Sequence, residues 1–276
     1  ISTTYSISVN LIEIFMDLSN LKCVILAGGL GTRISEETQI KPKPMVEIGG
    51  KPIIWHIMNI YSSYGIKNFI ICCGYKGYVI KEYFANYRLH INDVTIFLKD
   101  NSTKIIKKNK LDWEINLVDT GDDSMTGGRL LNIKDYLDKD NTFLFTYGDC
   151  VGNVKIDELI KFHKEQGKLA TLTAVQPPGR FGALNLKGNS IIAFNEKPQG
   201  DNLWVNGGFF VLEPEVLNLI DNDQTIWEQE PLQRLAKDNQ LNAYKHYDFW
   251  QPMDTLRDKM LLNELWNNND AKWKTW

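Results

Sequence analysis

The chain has 276 residues, 43% of them hydrophobic, with 31 basic against 34 acidic side chains and a formal charge of -3. That length suits one large α/β domain or two small ones with a sizeable core, and it excludes a disordered chain and the broad basic field that nonspecific nucleic-acid binding needs. No apolar run approaches the roughly 20 residues that span a bilayer, so neither nucleic acid nor membrane is an expected partner.

Residues 1–20 begin with Ile, lack a basic n-region and carry only a short apolar patch from Leu11 to Met16. They make a weak signal peptide and are set aside as an extension that need not be native, Met16 being a candidate start. From Leu21 onward, apolar runs alternate with amphipathic segments. Strands are expected at 21–27, 68–73, 94–98, 114–118 and 142–147, and helices near 52–64, 78–87 and 129–137. After Asp149 one more helix (156–166) leads to shorter strands at 169–175, 190–195 and 204–212, and helices near 214–220, 231–238 and 255–266 close the chain. Strands alternating with helices predict a mostly parallel sheet covered on both faces, with ligands at the carboxyl ends of the strands. The later strands read as an extension of the same sheet. The expected organisation is thus one domain over 21–276, in which 151–276 is a substrate-facing extension of the part at 21–150.

Cys23, Cys72, Cys73 and Cys150 lie in or beside apolar strands without CxxC spacing or a matching histidine pair. Zinc and a disulfide framework are both poor readings, and a reducing cytoplasm is the simpler inference.

The first strand breaks into LAGGLGTR, from Leu26 and Ala27 through Gly28, Gly29, Leu30, Gly31 and Thr32 to Arg33. It fails the dinucleotide fingerprint at its third glycine, and Gly50-Lys51-Pro52 fails the Walker pattern for want of a hydroxyl. What remains is either a tight turn or a loop whose backbone N–H groups wrap phosphate oxygens, with Arg33 adding a charged fork. In KPKPM, Pro42 and Pro44 push the residues before them toward extended conformations and stiffen the segment. Lys41 reads as a solvated charge, whereas Lys43, ten residues after Arg33, reads as a second phosphate contact.

LAGGLGTR followed by KPKPM resembles the signature of the sugar-1-phosphate nucleotidylyltransferases, which join a sugar 1-phosphate to a nucleoside triphosphate and release pyrophosphate. TYGD (146–149), PPGRFGAL (177–184), NEKP (195–198), NGGFFVL (206–212), WEQEPL (227–232) and FWQPMDTLRDK (249–259) are similar to its cytidylyltransferase branch, which acts on glucose 1-phosphate. The resemblance covers 21–276 and implies a Rossmann-like, glycosyltransferase-A-like mixed sheet, with CTP and glucose 1-phosphate as partners, Mg2+ as cofactor and a deoxysugar or O-antigen pathway as destination.

An attack by a sugar phosphate on an α-phosphorus joins two anions, so charge must be neutralised first, and Mg2+ asks for one or two carboxylates beside phosphate oxygens. Asp149 after FLFTYG and Asp254 after FWQPM are the two carboxylates that the resemblance assigns to the metal. Each has a plainer reading, Asp149 as a turn cap and Asp254 as the cap of the helix from Thr255. The resemblance further implies that Arg33 stabilises leaving pyrophosphate, that Lys43 binds the reacting phosphate and that Gly148 joins the nucleotide loop. Cys150 stands where related sequences usually carry glycine, which leaves the local loop shape open. In VDTGDDSMTGGRL (118–130), hydroxyls, glycines and Arg129 can meet a pyrimidine edge. The resemblance names Ser124 and Arg129 there; their plainer readings are a helix N-cap and a surface ion pair.

For the sugar it implies Gly182, Glu196, Lys197 and Asn206. His56 reads as a packing histidine on a buried helix. Trp266, Trp273 and Trp276 pack either on a neighbouring subunit of a homo-oligomer or on their own chain. Alternatives to the cytidylyl reaction are the use of UTP or dTTP, and a non-catalytic sensor of sugar nucleotides on the same fold.

Overall fold

A computed structural model describes residues 18–106, 111–139, 141–177, 183–195 and 203–276. The chain opens with β1 (Lys22–Leu26), a short helix α1 (Ser35–Thr38), the small pair β2 (Glu47–Ile48) and β3 (Lys51–Pro52), and α2 (Ile53–Ser62). β4 (Asn68–Cys73), α3 (Gly77–Ala85), α4 (Tyr87–Ile91), β5 (Val94–Phe97), β6 (Ser102–Ile105), β7 (Glu114–Asp119) and α5 (Thr126–Asn132) follow. β8 (Phe143–Tyr147), β9 (Cys150–Gly152), α6 (Ile156–Gln166) and β10 (Ala170–Val175) lead into the hairpin β11 (Ala183–Lys187) and β12 (Ser190–Asn195). β13 (Val205–Leu212), α7 (Glu230–Lys237), β14 (Leu241–His246), β15 (Trp250–Pro252) and α8 (Leu256–Asn267) complete it.

Seven strands form one sheet in the order β14-β10-β13-β8-β1-β4-β7. β8, β1, β4 and β7 pair in parallel, and β13 alone runs against its neighbours β8 and β10. Of the later strands, β10 and β13 extend the first sheet, whereas the strand expected at 190–195 is β12, which pairs with β11 in a separate two-stranded sheet. Both faces are covered, as the side-chain period of two requires. Cys23 and Ile25 of β1, with Phe69 and Ile71 of β4, join the core under α2, α6 and α8. Val24, Leu26, Ile70 and Cys72 join the opposite core with Leu130 of α5 and Leu235 of α7. Among the described residues no helix is long and apolar enough to cross a membrane.

Some elements differ from the sequence reading. The strand expected at 94–98 stays out of the sheet and folds back on β6, leaving Ile96 and Phe97 half-exposed. Residues 214–220 and the end of 129–137 form 3-10 turns rather than α-helix. The edge strand β14 was not anticipated; LNAYKH mixes polar and apolar residues because one face of an edge strand meets water.

His56 is fully buried. Its Nε2–H donates to the Ile48 carbonyl at 2.9 Å, while its Nδ1 accepts from the Trp273 indole at 3.3 Å. Trp273 is also fully buried, and Trp266 stacks against it at 6.3 Å, so these tryptophans pack on their own chain.

Candidate active site

The parallel strands deliver their carboxyl ends to one edge, and the reversed β13 brings its amino end there too. Loops after Leu26, Asp119 and Tyr147, together with Asn206, line a cavity of about 590 Å³. Leu26, Ala27, Gly28, Gly29, Gly31, Thr32, Arg33, Lys43, Ser124, Arg129, Gly148, Asp149, Asn206 and Asp254 share that cavity. Leu30 is absent from the lining and is 57% exposed. Gly182, Glu196 and Lys197 lie outside the described residues.

The charged centre is compact. Lys43 Nζ donates to Asp149 Oδ2 and to Asp254 Oδ1, each at 2.7 Å, and Arg33 donates to the other Asp254 oxygen at 2.7 Å. Lys43 is only 7% exposed. Burial alone would pull its pKa down, but the two carboxylates outweigh that effect and hold it above lysine's usual value. Lys43 opens a 3-10 turn, Lys43–Met45, rather than the extended stretch expected before proline. The turn is closed by Met45 N–H on the Pro42 carbonyl and Val46 N–H on the Lys43 carbonyl, so Pro44 loses no donor it would have used. Lys41 pairs with Glu47 at 3.2 Å.

Two strands far apart in sequence join the carboxylates. β9 pairs with β15, Cys150 opposite Pro252, and the Met253 N–H donates to the Asp149 carbonyl at 2.8 Å. Asp254 does not cap α8. Thr255 does, in a capping box with Asp258 whose carboxylate also accepts the Asp254 N–H at 3.1 Å, which leaves the Asp254 side chain free to face Lys43 and Arg33. Cys150 is 2% exposed, with its Sγ 3.7 Å from the Gly207 carbonyl, and burial pushes its thiol pKa up, so it is no nucleophile.

Crowding accounts for Gly31 and Gly148. Gly31 has φ +63°, and a Cβ there would meet Thr38 Cγ2 at 2.8 Å. A side chain on Gly148 would run into the Leu26 carbonyl and Pro44.

In the loop after β7, Ser124 lies before the N-cap of α5, which is Met125. Arg129 is no surface ion pair: it is 4% exposed, and its guanidinium donates to Gly28 O (3.0 Å), Cys73 O (3.3 Å), Thr120 Oγ1 (2.8 Å), Gly121 O (2.7 Å) and Asp122 O (3.2 Å). It stitches together the loops after β1, β4 and β7. Gly127 and Gly128 serve packing: their N–H groups donate to the Thr225 carbonyl at 2.9 and 3.2 Å, Met125 N–H donates to Asp223 O, and a side chain on either glycine would strike this crossing segment.

Residues 22–255 match the family model described as nucleotidyl transferase. The chain belongs to the nucleotidyl transferase family. This nucleotidyl transferase is 62% identical to glucose-1-phosphate cytidylyltransferase of Salmonella typhimurium over 93% of its own length and 100% of the relative's. It is 30% identical to mannose-1-phosphate guanyltransferase of Neurospora crassa, covering 86% of this chain and 62% of that one. Among solved structures, apo UDP-glucose pyrophosphorylase shares the fold at a TM-score of 0.65 and 15% identity, covering 90% of this chain and 98% of that one.

Among the cavity residues that sequence reasoning missed, two are joined to each other. Tyr147 and Glu228 both line the cavity, joined by a 2.5 Å hydrogen bond. Each lies in a motif quoted above, TYGD and WEQEPL, and their being polar or half-polar residues at the edge of those motifs was the available signal.

Proposed function

We propose that this chain transfers a cytidylyl group from CTP to α-D-glucose 1-phosphate, giving CDP-glucose and pyrophosphate. The observation that carries the reading is the identity of 62% with the Salmonella cytidylyltransferase across that protein's whole length. The charged centre supplies what the chemistry needs. Glucose 1-phosphate is itself the nucleophile, so the chain must align two anions and absorb their charge. Lys43, charged and braced by its turn, lies where the reacting phosphates meet, and Arg33 at the mouth holds pyrophosphate as it departs.

Asp149 and Asp254 aim oxygens at one cationic point, Lys43 Nζ, from separate strand ends. This donor set suits Mg2+, which takes one or two protein carboxylates when phosphates and waters complete its shell. The two aspartates would hold it, and the ion supplies charge neutralisation on the phosphates. Ser124 and Arg129 form the cytosine end and Asn206 the glucose end, with Gly182, Glu196 and Lys197 assigned to the sugar from sequence. The four free, buried cysteines suit a reducing cytoplasm.

The test is pyrophosphate release from glucose 1-phosphate with CTP, UTP, dTTP, ATP or GTP, with and without Mg2+. Release confined to CTP and dependent on Mg2+ is expected. Equal turnover with UTP or dTTP would overturn the base assignment, and no release with any nucleotide would overturn the reaction.

A further inference from the structure

A directed chain of hydrogen bonds crosses the cavity wall and ends on Glu228. Gly208 N–H donates to Asn206 Oδ1 at 2.9 Å, which fixes the amide so that Asn206 Nδ2 donates to Tyr147 Oη at 3.1 Å. Tyr147 Oη in turn donates to Glu228 Oε1 at 2.5 Å. From the other side, Trp227 N–H donates to Thr126 Oγ1 at 2.9 Å, and that hydroxyl donates to Glu228 Oε2 at 2.6 Å. Each carboxylate oxygen thus receives one hydroxyl, and the two hydroxyls come from opposite halves of the site. Thr126 begins α5, next to the base-facing Ser124. Tyr147 ends β8 beside Gly148 and fixes Asn206 of β13.

We propose that Glu228 is a positioning residue that holds the nucleotide half and the sugar half of the site in mutual register. This rests on the substrate assignment proposed above. In-line attack tolerates little misplacement between the two reactants, so a brace spanning both halves acts on both at once. Only an ionised carboxylate accepts from both hydroxyls. An amide at 228 must turn its NH2 toward one of them, reversing the order of donors on that side.

Steady-state kinetics of Glu228→Gln, Thr126→Val and Tyr147→Phe test the brace. Because hydrogen bonds to charged groups are the stronger class and misregister slows the attack itself, Glu228→Gln is expected to lower kcat by about tenfold and to raise KM for both CTP and glucose 1-phosphate several-fold. Thr126→Val should raise the KM for CTP alone, and Tyr147→Phe the KM for glucose 1-phosphate alone. A rise in only one KM for Glu228→Gln, or in neither, overturns the proposal while leaving the reaction assignment intact. Amide hydrogen exchange provides a second readout that needs no turnover. Glu228→Gln should speed exchange in both the 125–129 and the 206–209 segments, and acceleration confined to one of them, or absent from both, overturns the brace. If the wild-type chain releases no pyrophosphate, the reaction assignment falls and exchange still decides whether Glu228 couples the halves.

Discussion

Two buried titratable side chains, Lys43 on the cavity floor and His56 behind the sheet, are 7% and 0% exposed yet carry opposite charge states. Burial by itself disfavours the charged form of both. Around Lys43 two carboxylates reverse that tendency, and the ammonium persists. Around His56 the partners are a carbonyl and an indole, and burial pushes its pKa down to about 4. The difference teaches that the neighbours, not the depth, decide which buried group stays charged: the charged one faces the cavity, and the neutral one binds the C-terminal tail to α2.

Breaking the charged pole should have the largest effect. Lys43→Met is expected to lower kcat/KM by about a thousandfold, roughly 4 kcal/mol of lost transition-state stabilisation, measured with CTP and glucose 1-phosphate. A Lys43→Met enzyme within tenfold of wild type would remove Lys43 from the chemistry. Breaking the neutral pole should act on stability instead. Trp273→Ala empties a fully buried site and should cost about 3–5 kcal/mol in urea unfolding, with activity per folded molecule near wild type.

The pH dependence sharpens the contrast. Below the unfolded histidine's pKa of about 6.5, the unfolded chain binds a proton at His56 that the folded chain refuses, so stability falls with falling pH until about 4. The contribution to the loss is roughly 3 kcal/mol across that window. A proton on Nδ1 would point at the Trp273 indole N–H, which gives the loss its structural cause. Unfolding of wild type and His56→Gln at pH 7 and pH 4.5 should show this extra slope in wild type alone, and parallel slopes would assign the acid sensitivity elsewhere. The smallest effect is expected from Thr255→Ala, which removes the α8 cap and should cost about 1 kcal/mol by thermal unfolding. Because Asp254 adjoins the cap, the same substitution should also lower kcat modestly.

What the sequence made legible follows from what each residue touches. β4 and α6 were read to the residue because their core-facing residues are flanked by turn residues and polar termini. Asp149 and Asp254 stood out as charges after apolar strands, and Arg33 and Lys43 as charges beside glycine and proline. The pairing of β9 with β15, which brings the two aspartates together, was not legible because three-residue strands leave no periodicity to read. Tyr147 looks like core at the end of an apolar strand, and its partner Glu228 is 81 residues away. Arg129 was hardest of all: four of its five acceptors are backbone carbonyls, which every residue supplies alike.

That guanidinium also constrains how this chain can vary. A side chain at Gly28 or at Gly74 would land inside it. Three positions scattered along the chain are therefore one heritable unit. Any lineage that enlarges Gly28 must first shrink or displace residue 129, whereas one that enlarges Gly74 must also shift the Gly121 carbonyl, 2.8 Å from a Cβ there, so the arginine ties the two glycines to unequal degrees.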